Sequence, residues 1–215
     1  MVNLDHERLL TGASFTREMG LSNGLSERFS QYGAMLEKWQ LRVNLVSRST
    51  LTDIWQRHFL DSAQLLRHLP DGATSLVDLG SGAGFPGLVL ALLMSEHGGP
   101  QVHLVEADSR KAAFLTEVNR AVEAGAVIHN RRLESITDLK ADVITARALS
   151  PLDRLIGQAS RFMAADATCL FLKGENVSAE LTAARKNWTM HVRELASKTH
   201  PRARILKLTE ISRVD

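Results

Sequence analysis

The chain is poor in cysteine, tyrosine and proline: its 215 residues hold one, one and five of them. With a single cysteine no internal disulfide can staple the fold, and Cys169, set in the apolar run Thr168-Cys169-Leu170-Phe171-Leu172, reads as a small buried hydrophobe. One tyrosine and an aromatic content of 5% argue against the base-stacking platform of an RNA-recognition sheet. No uninterrupted apolar run approaches the ~20 residues that cross a bilayer, so no membrane partner is expected. The opening MVNLDHERLLTG mixes acids with bases instead of placing a basic stretch before an apolar one. It does not read as a secretion signal, and a cytoplasmic location is the expectation. The eight histidines are scattered without ligand spacing, so no metal site is expected. A net charge of +2 neither requires nor excludes a polyanionic partner.

What remains is an ordinary globular composition, 44% apolar and 23% charged, in a length that suits one main core with a smaller appendage. Leu25, Phe29, Tyr32, Met35, Leu36 and Trp39 recur at three- and four-residue steps, which predicts a helix over 25–39 with caps among Ser22, Asn23 and Ser26. A second helical pattern over 51–69 runs through Ile54, Trp55, Phe59, Leu65, Leu66 and Leu69 and stops at Pro70-Asp71-Gly72. From Ser75 short apolar runs alternate with helical segments, the pattern of a parallel sheet. Strands are predicted near 75–79, 102–106, 126–129, 142–145 and 168–172, with helices near 86–94, 110–124, 151–163 and 178–188. Runs at 191–195 and 203–209 suit an antiparallel hairpin at the sheet edge. The division is therefore a helical lobe over 1–72, packed on an α/β domain over 73–215. The basic residues Arg185, Lys186, Arg193, Lys198, Arg202, Arg204, Lys207 and Arg213 gather toward the end of the chain.

The stretch Asp78-Leu79-Gly80-Ser81-Gly82-Ala83-Gly84-Phe85-Pro86-Gly87 brings four glycines to the end of the first strand. Where a parallel strand turns into a helix, glycine lets backbone amides approach a ligand with no Cβ in the way, and Pro86 suits the first helical turn. The loop also satisfies the dinucleotide pattern G-x-G-x-x-G, and Glu106 ends the second strand where an acid would hold ribose hydroxyls. Glu106 serves a nicotinamide dinucleotide and S-adenosylmethionine alike. Asp78 favours the second, because a carboxylate repels a pyrophosphate and attracts an ammonium and a sulfonium. A P-loop is excluded, since no Gly-Lys-Ser/Thr follows.

Trp39 followed by Val43-Asn44-Leu45-Val46-Ser47, then Arg57-His58-Phe59-Leu60-Asp61-Ser62, then the glycine loop, resembles the RsmG family, also called glucose-inhibited division protein B. The similarity continues through Leu104-Val105-Glu106, Lys111 with Phe114-Leu115, Arg132-Leu133-Glu134, Arg147-Ala148 and Leu172-Lys173-Gly174; Ala146 stands where the family often has serine. The resemblance implies a Rossmann-like class I S-adenosylmethionine-dependent methyltransferase, α/β, with a mostly parallel seven-stranded sheet, an antiparallel edge hairpin and N-terminal helices. It implies methylation of N7 of a guanine in 16S ribosomal RNA, on the small ribosomal subunit or an assembly intermediate, by a protein expected to be monomeric.

Carried over by motif, S-adenosylmethionine would be held by Asp78, Gly80, Ser81, Gly82, Gly84, Phe85, Glu106, Leu133, Glu134 and Arg147, with Arg147 also the catalytic candidate beside the target base. Guanine N7 presents an in-plane lone pair, so no general base is required and positioning carries the reaction. Arg147 either binds the guanine O6 edge or a phosphate, or pairs with Glu134 or Asp142. Asp61 is expected to hold His58 or a backbone amide. Lys173 reads equally as a phosphate contact or a surface charge, and Arg131, Arg132, Arg161 and the basic tail are further phosphate candidates. Alternatives are methylation of another RNA or a small molecule, a non-catalytic RNA-binding protein, and a nicotinamide-dependent oxidoreductase.

Overall fold

The computed structural model describes residues 10–214, so the opening stretch weighed above as a targeting signal lies, through residue 9, outside the described residues. Seven strands form one sheet in the order β3-β2-β1-β4-β5-β7-β6. They are β1 (Ser75–Leu79), β2 (Gln101–Val105), β3 (Val127–His129), β4 (Ala141–Arg147), β5 (Met163–Lys173), β6 (Trp188–Ala196) and β7 (Arg204–Arg213). The first five run parallel, and β7 enters antiparallel between β5 and β6. The strand order reverses on either side of β1, which lies between β2 and β4. In open α/β sheets ligands settle at such a reversal, outside the carboxyl ends of the strands.

Three helices begin where a side chain satisfies free amides. Thr11 and Ser14 cap α1 (Gly12–Met19) reciprocally, Ser22 accepts from Leu25 N at the start of α2 (Asn23–Gln40), and Asp108 accepts from Arg110 N and Lys111 N ahead of α5 (Ser109–Ala121). Helix α4 (Gly87–Met94) is buried along its whole length, wedged between the sheet and the N-terminal helices. On the opposite face of the sheet α6 (Leu152–Ala159) and α7 (Val177–Ala184) cover a second core around Ile144, Phe162 and Phe171. Cys169 lies in that core with no exposed surface, and burial pushes its thiol pKa up. No helix among the described residues is long and apolar enough to cross a membrane.

The 51–69 segment departs from the single helix that its periodicity predicts. It winds as a 3-10 turn (Arg48–Asp53), a π-helical turn (Trp55–Leu60), the short α3 (Asp61–Ala63) and a second 3-10 turn (Leu66–His68). The Asp61 amide reaches back five residues to Gln56 O, the mark of the widened turn. Aromatic packing accompanies it: Trp55 stacks on Phe59 at 4.4 Å between centroids, and Phe59 meets Phe29, Tyr32 and Phe85 edge-on. The N-terminal helices and the sheet thereby share one apolar cluster, with Phe15, Phe29, Tyr32 and Phe59 on one side and Phe85, Leu88, Leu104 and Phe114 on the other. Elsewhere α6 and α7 stop at Ala159 and Ala184, short of the predicted 163 and 188, because Met163 and Trp188 already begin strands.

Candidate active site

The ends of β1, β2 and β4 enclose a cavity of about 410 Å³ lined by Gly80, Gly82, Glu106, Leu133, Glu134 and Arg147, together with Lys111, Arg131 and Arg132. Gly82 has φ +58°, a left-handed conformation that glycine adopts without a Cβ penalty, and a Cβ there would meet nothing nearer than Gly80 O at 3.8 Å. The loop therefore turns bare backbone toward open space. Glu106 is fixed from below: Oε2 accepts from Gly82 N at 2.8 Å and Oε1 from Asp108 N at 2.7 Å. A carboxylate has about four acceptor positions, so both oxygens retain lone pairs for a pair of adjacent hydroxyls. Leu133 and Glu134 lie on a 3-10 turn behind β3, with Glu134 O held by Arg161 at 3.0 Å. The cradle fits a nucleoside.

Gly84 and Phe85 face inward instead. A Cβ on Gly84 would collide with the Tyr32 hydroxyl and lie 2.8 Å from Leu88 Cβ, at φ +90°. The Tyr32 hydroxyl donates to Ala83 O, clamping the loop to α2. Gly84→Ala is expected to destabilise the fold by about 2–4 kcal/mol, overpacking adding to a left-handed alanine. Urea unfolding checks it, and the cost should shrink in a Tyr32→Phe background, which removes the oxygen that the new methyl meets. An unchanged cost there would mean that the strain is in the backbone alone.

Asp78 lies beneath the loop, fully buried and off the cavity wall, with Oδ1 accepting from Thr145 Oγ1 at 2.7 Å. Burial raises its pKa to about 6, against the pull of Thr145, Ser81, the Gly87 amide and Arg147; the Ser81 hydroxyl itself donates to the Asp78 main-chain oxygen at 3.1 Å. Asp78 therefore presents no carboxylate at the wall itself, where four cations and two carboxylates stand together. The raised pKa has a consequence for stability. Between the ordinary value of 3.8 and about 6 the folded state binds the Asp78 proton more tightly than the unfolded chain, so this contribution is lost as pH rises through that window. The unfolding free energy of the wild type relative to Asp78→Asn should fall on the order of 3 kcal/mol from about pH 3 to about pH 7 and be flat above. Urea titrations across pH read this, and a constant difference would refute the shift.

Arg147, at the end of β4, lines this cavity and also a larger one of about 690 Å³. Its guanidinium lies 4.9 Å over the Phe85 ring; Nη1 donates to Arg57 O at 3.0 Å and stands 3.8 Å from Asp61 Oδ2. Phe85 in turn stacks with both Tyr32 and His58. The acid partner of Arg147 is thus Asp61, while Asp142 is spent on Thr74 and Ser75. Ala148, next in sequence, takes φ +50° and lines both cavities, so strained backbone sits at their common wall.

The larger cavity is walled by Thr50, Arg57, His58, Asp61 and Lys173 and by the turn between β6 and β7, which brings Thr199, His200, Arg202 and Arg204. Asp61 does not hold His58. Its Oδ1 accepts from Thr199 Oγ1 at 2.7 Å and Gln64 Nε2 at 2.9 Å, whereas His58 Nε2 meets Thr50 Oγ1 at 2.8 Å. Burial, with Arg147 and Arg57 nearby, lowers the His58 pKa to about 3, so the ring is neutral near pH 7. Lys173 is neither free nor a surface charge: Nζ lies 2.6 Å from Glu180 and donates to Ser150 O at 3.1 Å.

The basic residues separate. Arg57, Arg147, Lys173, Arg202 and Arg204 surround the larger cavity, and Arg131 and Arg132 the smaller. Lys198 pairs with Glu18, Lys207 bonds His68 O and Arg213 covers Trp188. Sequence reasoning missed Tyr32, Thr50, Ser197, Thr199 and His200, none of which carries a local signal of a site.

The family model described as rRNA small subunit methyltransferase G matches residues 25–206. The chain is 50% identical over 204 residues to the ribosomal RNA small subunit methyltransferase G of Rhodospirillum rubrum, covering 95% of this chain and 100% of that protein. It is 50% identical over 207 residues to the protein of the same name from Paramagnetospirillum magneticum, covering 96% of each. Among solved structures it is similar to a SAM-dependent methyltransferase from Aquifex aeolicus (TM-score 0.55, 16% identity, 81% of this chain and 97% of that one). It is also similar to an O-methyltransferase from Bacillus cereus in complex with SAH (TM-score 0.55, 12% identity, 93% and 100%). At those identities the two structures speak for the fold alone.

Proposed function

This chain belongs to the rRNA small subunit methyltransferase G family, and on that premise we propose that it methylates N7 of a guanine in 16S ribosomal RNA with S-adenosylmethionine as donor. When bound, S-adenosylmethionine supplies an electrophilic methyl group on a sulfonium. The chain's own contribution is to hold the two reactants in line. Gly80, Gly82, Glu106, Leu133 and Glu134 form the nucleoside cradle, and the larger, basic cavity receives the target nucleotide. The observation that carries this reading is that Arg147 and Ala148 belong to the walls of both cavities, so occupants of the two meet there.

Because N7 already carries its lone pair in the ring plane, no residue needs to remove a proton from it. His58, its pKa lowered to about 3 by burial, is a weak base, which agrees with a reaction that needs none. Arg57, Arg202 and Arg204 are placed to meet phosphates around an unstacked base. Of the lobe expected over 1–72, the described residues 10–72 close the site, supported by the contribution of Thr50, Arg57, His58 and Asp61 to the larger cavity. The working unit is a cytoplasmic monomer that meets its RNA on the small subunit or an assembly intermediate.

Transfer of labelled methyl groups to small subunits purified from cells lacking the modification tests the proposal, with mass spectrometry locating the product. A single 7-methylguanine in 16S RNA is the expected result. Folded protein that binds the donor yet labels no RNA would overturn it.

A further inference from the structure

Three carboxylates line the larger cavity, and two of them are occupied. Glu180 Oε2 lies 2.6 Å from Lys173 Nζ and accepts from Leu152 N at 2.7 Å, while Glu175 is paired with Arg202 at the rim. Asp61 differs. Its Oδ1 is fixed by Thr199 and Gln64, so the side chain is held in one orientation, and its Oδ2 is directed at the guanidinium of Arg147, 3.8 Å from Nη1. That separation is wider than a good hydrogen-bonded pair. A carboxylate oxygen and a guanidinium thus stand side by side at the junction with the nucleoside cradle, held by different elements.

Resting on the function proposed above, we infer that Asp61 and Arg147 together read the Watson–Crick edge of the target base and select guanine. Along one side of guanine the groups run N7, O6, N1–H and N2–H₂: an acceptor to be methylated, a second acceptor, then two donors. With N7 facing the smaller cavity, O6 meets the Arg147 donors, and Asp61 Oδ2 accepts from both N1–H and the N2–H₂ beside it. The order of the protein groups matches the order on the base. Adenine presents the opposite pattern there, an amino donor toward Arg147 and an N1 acceptor toward a carboxylate. Both contacts become repulsive, and the buried groups are left unpaired.

The same contact aids the reaction. Methylation at N7 places a positive charge on the purine close to Arg147, which opposes it, and makes N1–H more acidic. A hydrogen bond from N1–H to Asp61 therefore strengthens as the methyl is transferred, and an interaction stronger in the transition state than in the ground state raises turnover. Asp61 is then a specificity residue whose loss lowers kcat as well as discrimination.

The test uses the full chain and small subunits reconstituted with 16S RNA carrying guanosine or inosine at the target, inosine being guanosine without the N2 amine. Wild type is expected to methylate the inosine particle about 10- to 100-fold more slowly in kcat/KM. Asp61→Asn keeps an oxygen for Thr199 and Gln64, and should slow guanosine methylation while bringing the two substrates to within about threefold of each other. A purely structural role would slow both substrates equally and preserve their ratio, overturning the inference. Equal rates on both substrates with the wild type would also overturn it, without reference to any variant, and would leave the proposed function standing. Failure of the wild type on guanosine particles would instead remove the function, and this reading with it.

Discussion

Gly82→Val is expected to abolish S-adenosylmethionine binding while leaving the sheet folded. At φ +58° a β-branched residue is a backbone outlier, and the left-handed conformation alone costs an L-residue about 1–2 kcal/mol. The chain can relieve that strain only by moving the loop, which breaks the bond from Gly82 N to Glu106 Oε2 and releases the carboxylate meant for the ribose. If the loop does not move, three added carbons project toward the open side of a cavity of about 410 Å³. Either way the cradle is spoiled, and affinity should fall at least ~100-fold, equivalent to ~2.7 kcal/mol. Calorimetric titration with the donor measures the loss, and far-UV circular dichroism establishes that the sheet persists. Binding within about threefold of wild type would show that the nucleoside lies elsewhere.

Gly82 is also where the sequence was most legible. Strand β1 occupies Ser75–Leu79 as predicted, because a short apolar run bounded by Gly72 and Gly80 has few alternatives in an α/β chain. The residues at the carboxyl ends of the next strands, Glu106, Leu133, Glu134 and Arg147, converge on one cavity. Their convergence follows from the parallel topology alone, since each strand end delivers its next residues to the same edge of the sheet. Asp78 was misplaced for a reason of the same kind. Alternation along β1 turns its side chain under the loop toward Thr145, and charge sign near a motif says nothing about which side of the backbone bears it.

The rest depended on contacts with no local signature. The apolar spacing of 51–69 fits a helical face whether the backbone winds as α or as π, so the widened turn that delivers His58 and Asp61 could not be read from it. Thr199 bonds Asp61 across 138 positions of sequence, and Ser197, Thr199 and His200 look like any polar turn until β6 and β7 fold back over the site. Met163 reads as the last residue of the helix predicted from 151, and 164–167 as the connection to a strand at 168. The strand starts five residues earlier, at Met163, because β5 extends beyond the core, where Ala165 and Asp166 are exposed and carry no apolar signal.

Arg147→Ala should lower kcat by about 10²-fold, the order expected when a reacting base is no longer held in line with the methyl group. Donor affinity should change far less, since Gly82, Glu106, Leu133 and Glu134 keep their places in the nucleoside cradle. Part of any loss is structural: the guanidinium covers Phe85 and ties Arg57 O to the end of β4. Its removal also deprives the largely buried Asp61 carboxylate of its nearest cation, and burial already raises that pKa above the usual carboxylate value. Arg147→Lys separates these effects. Lysine keeps the charge near Asp61 but loses the planar fork, so stability should recover more than turnover does. Single-turnover methylation with saturating donor, read beside thermal unfolding of both variants, makes the comparison. A lysine variant with full activity would reduce Arg147 to a counter-charge, and an alanine variant with unchanged turnover would remove it from the reaction. If instead both variants lose the donor as readily as Gly82→Val does, the guanidinium belongs to the nucleoside cradle and the base must be read by other groups in the larger cavity.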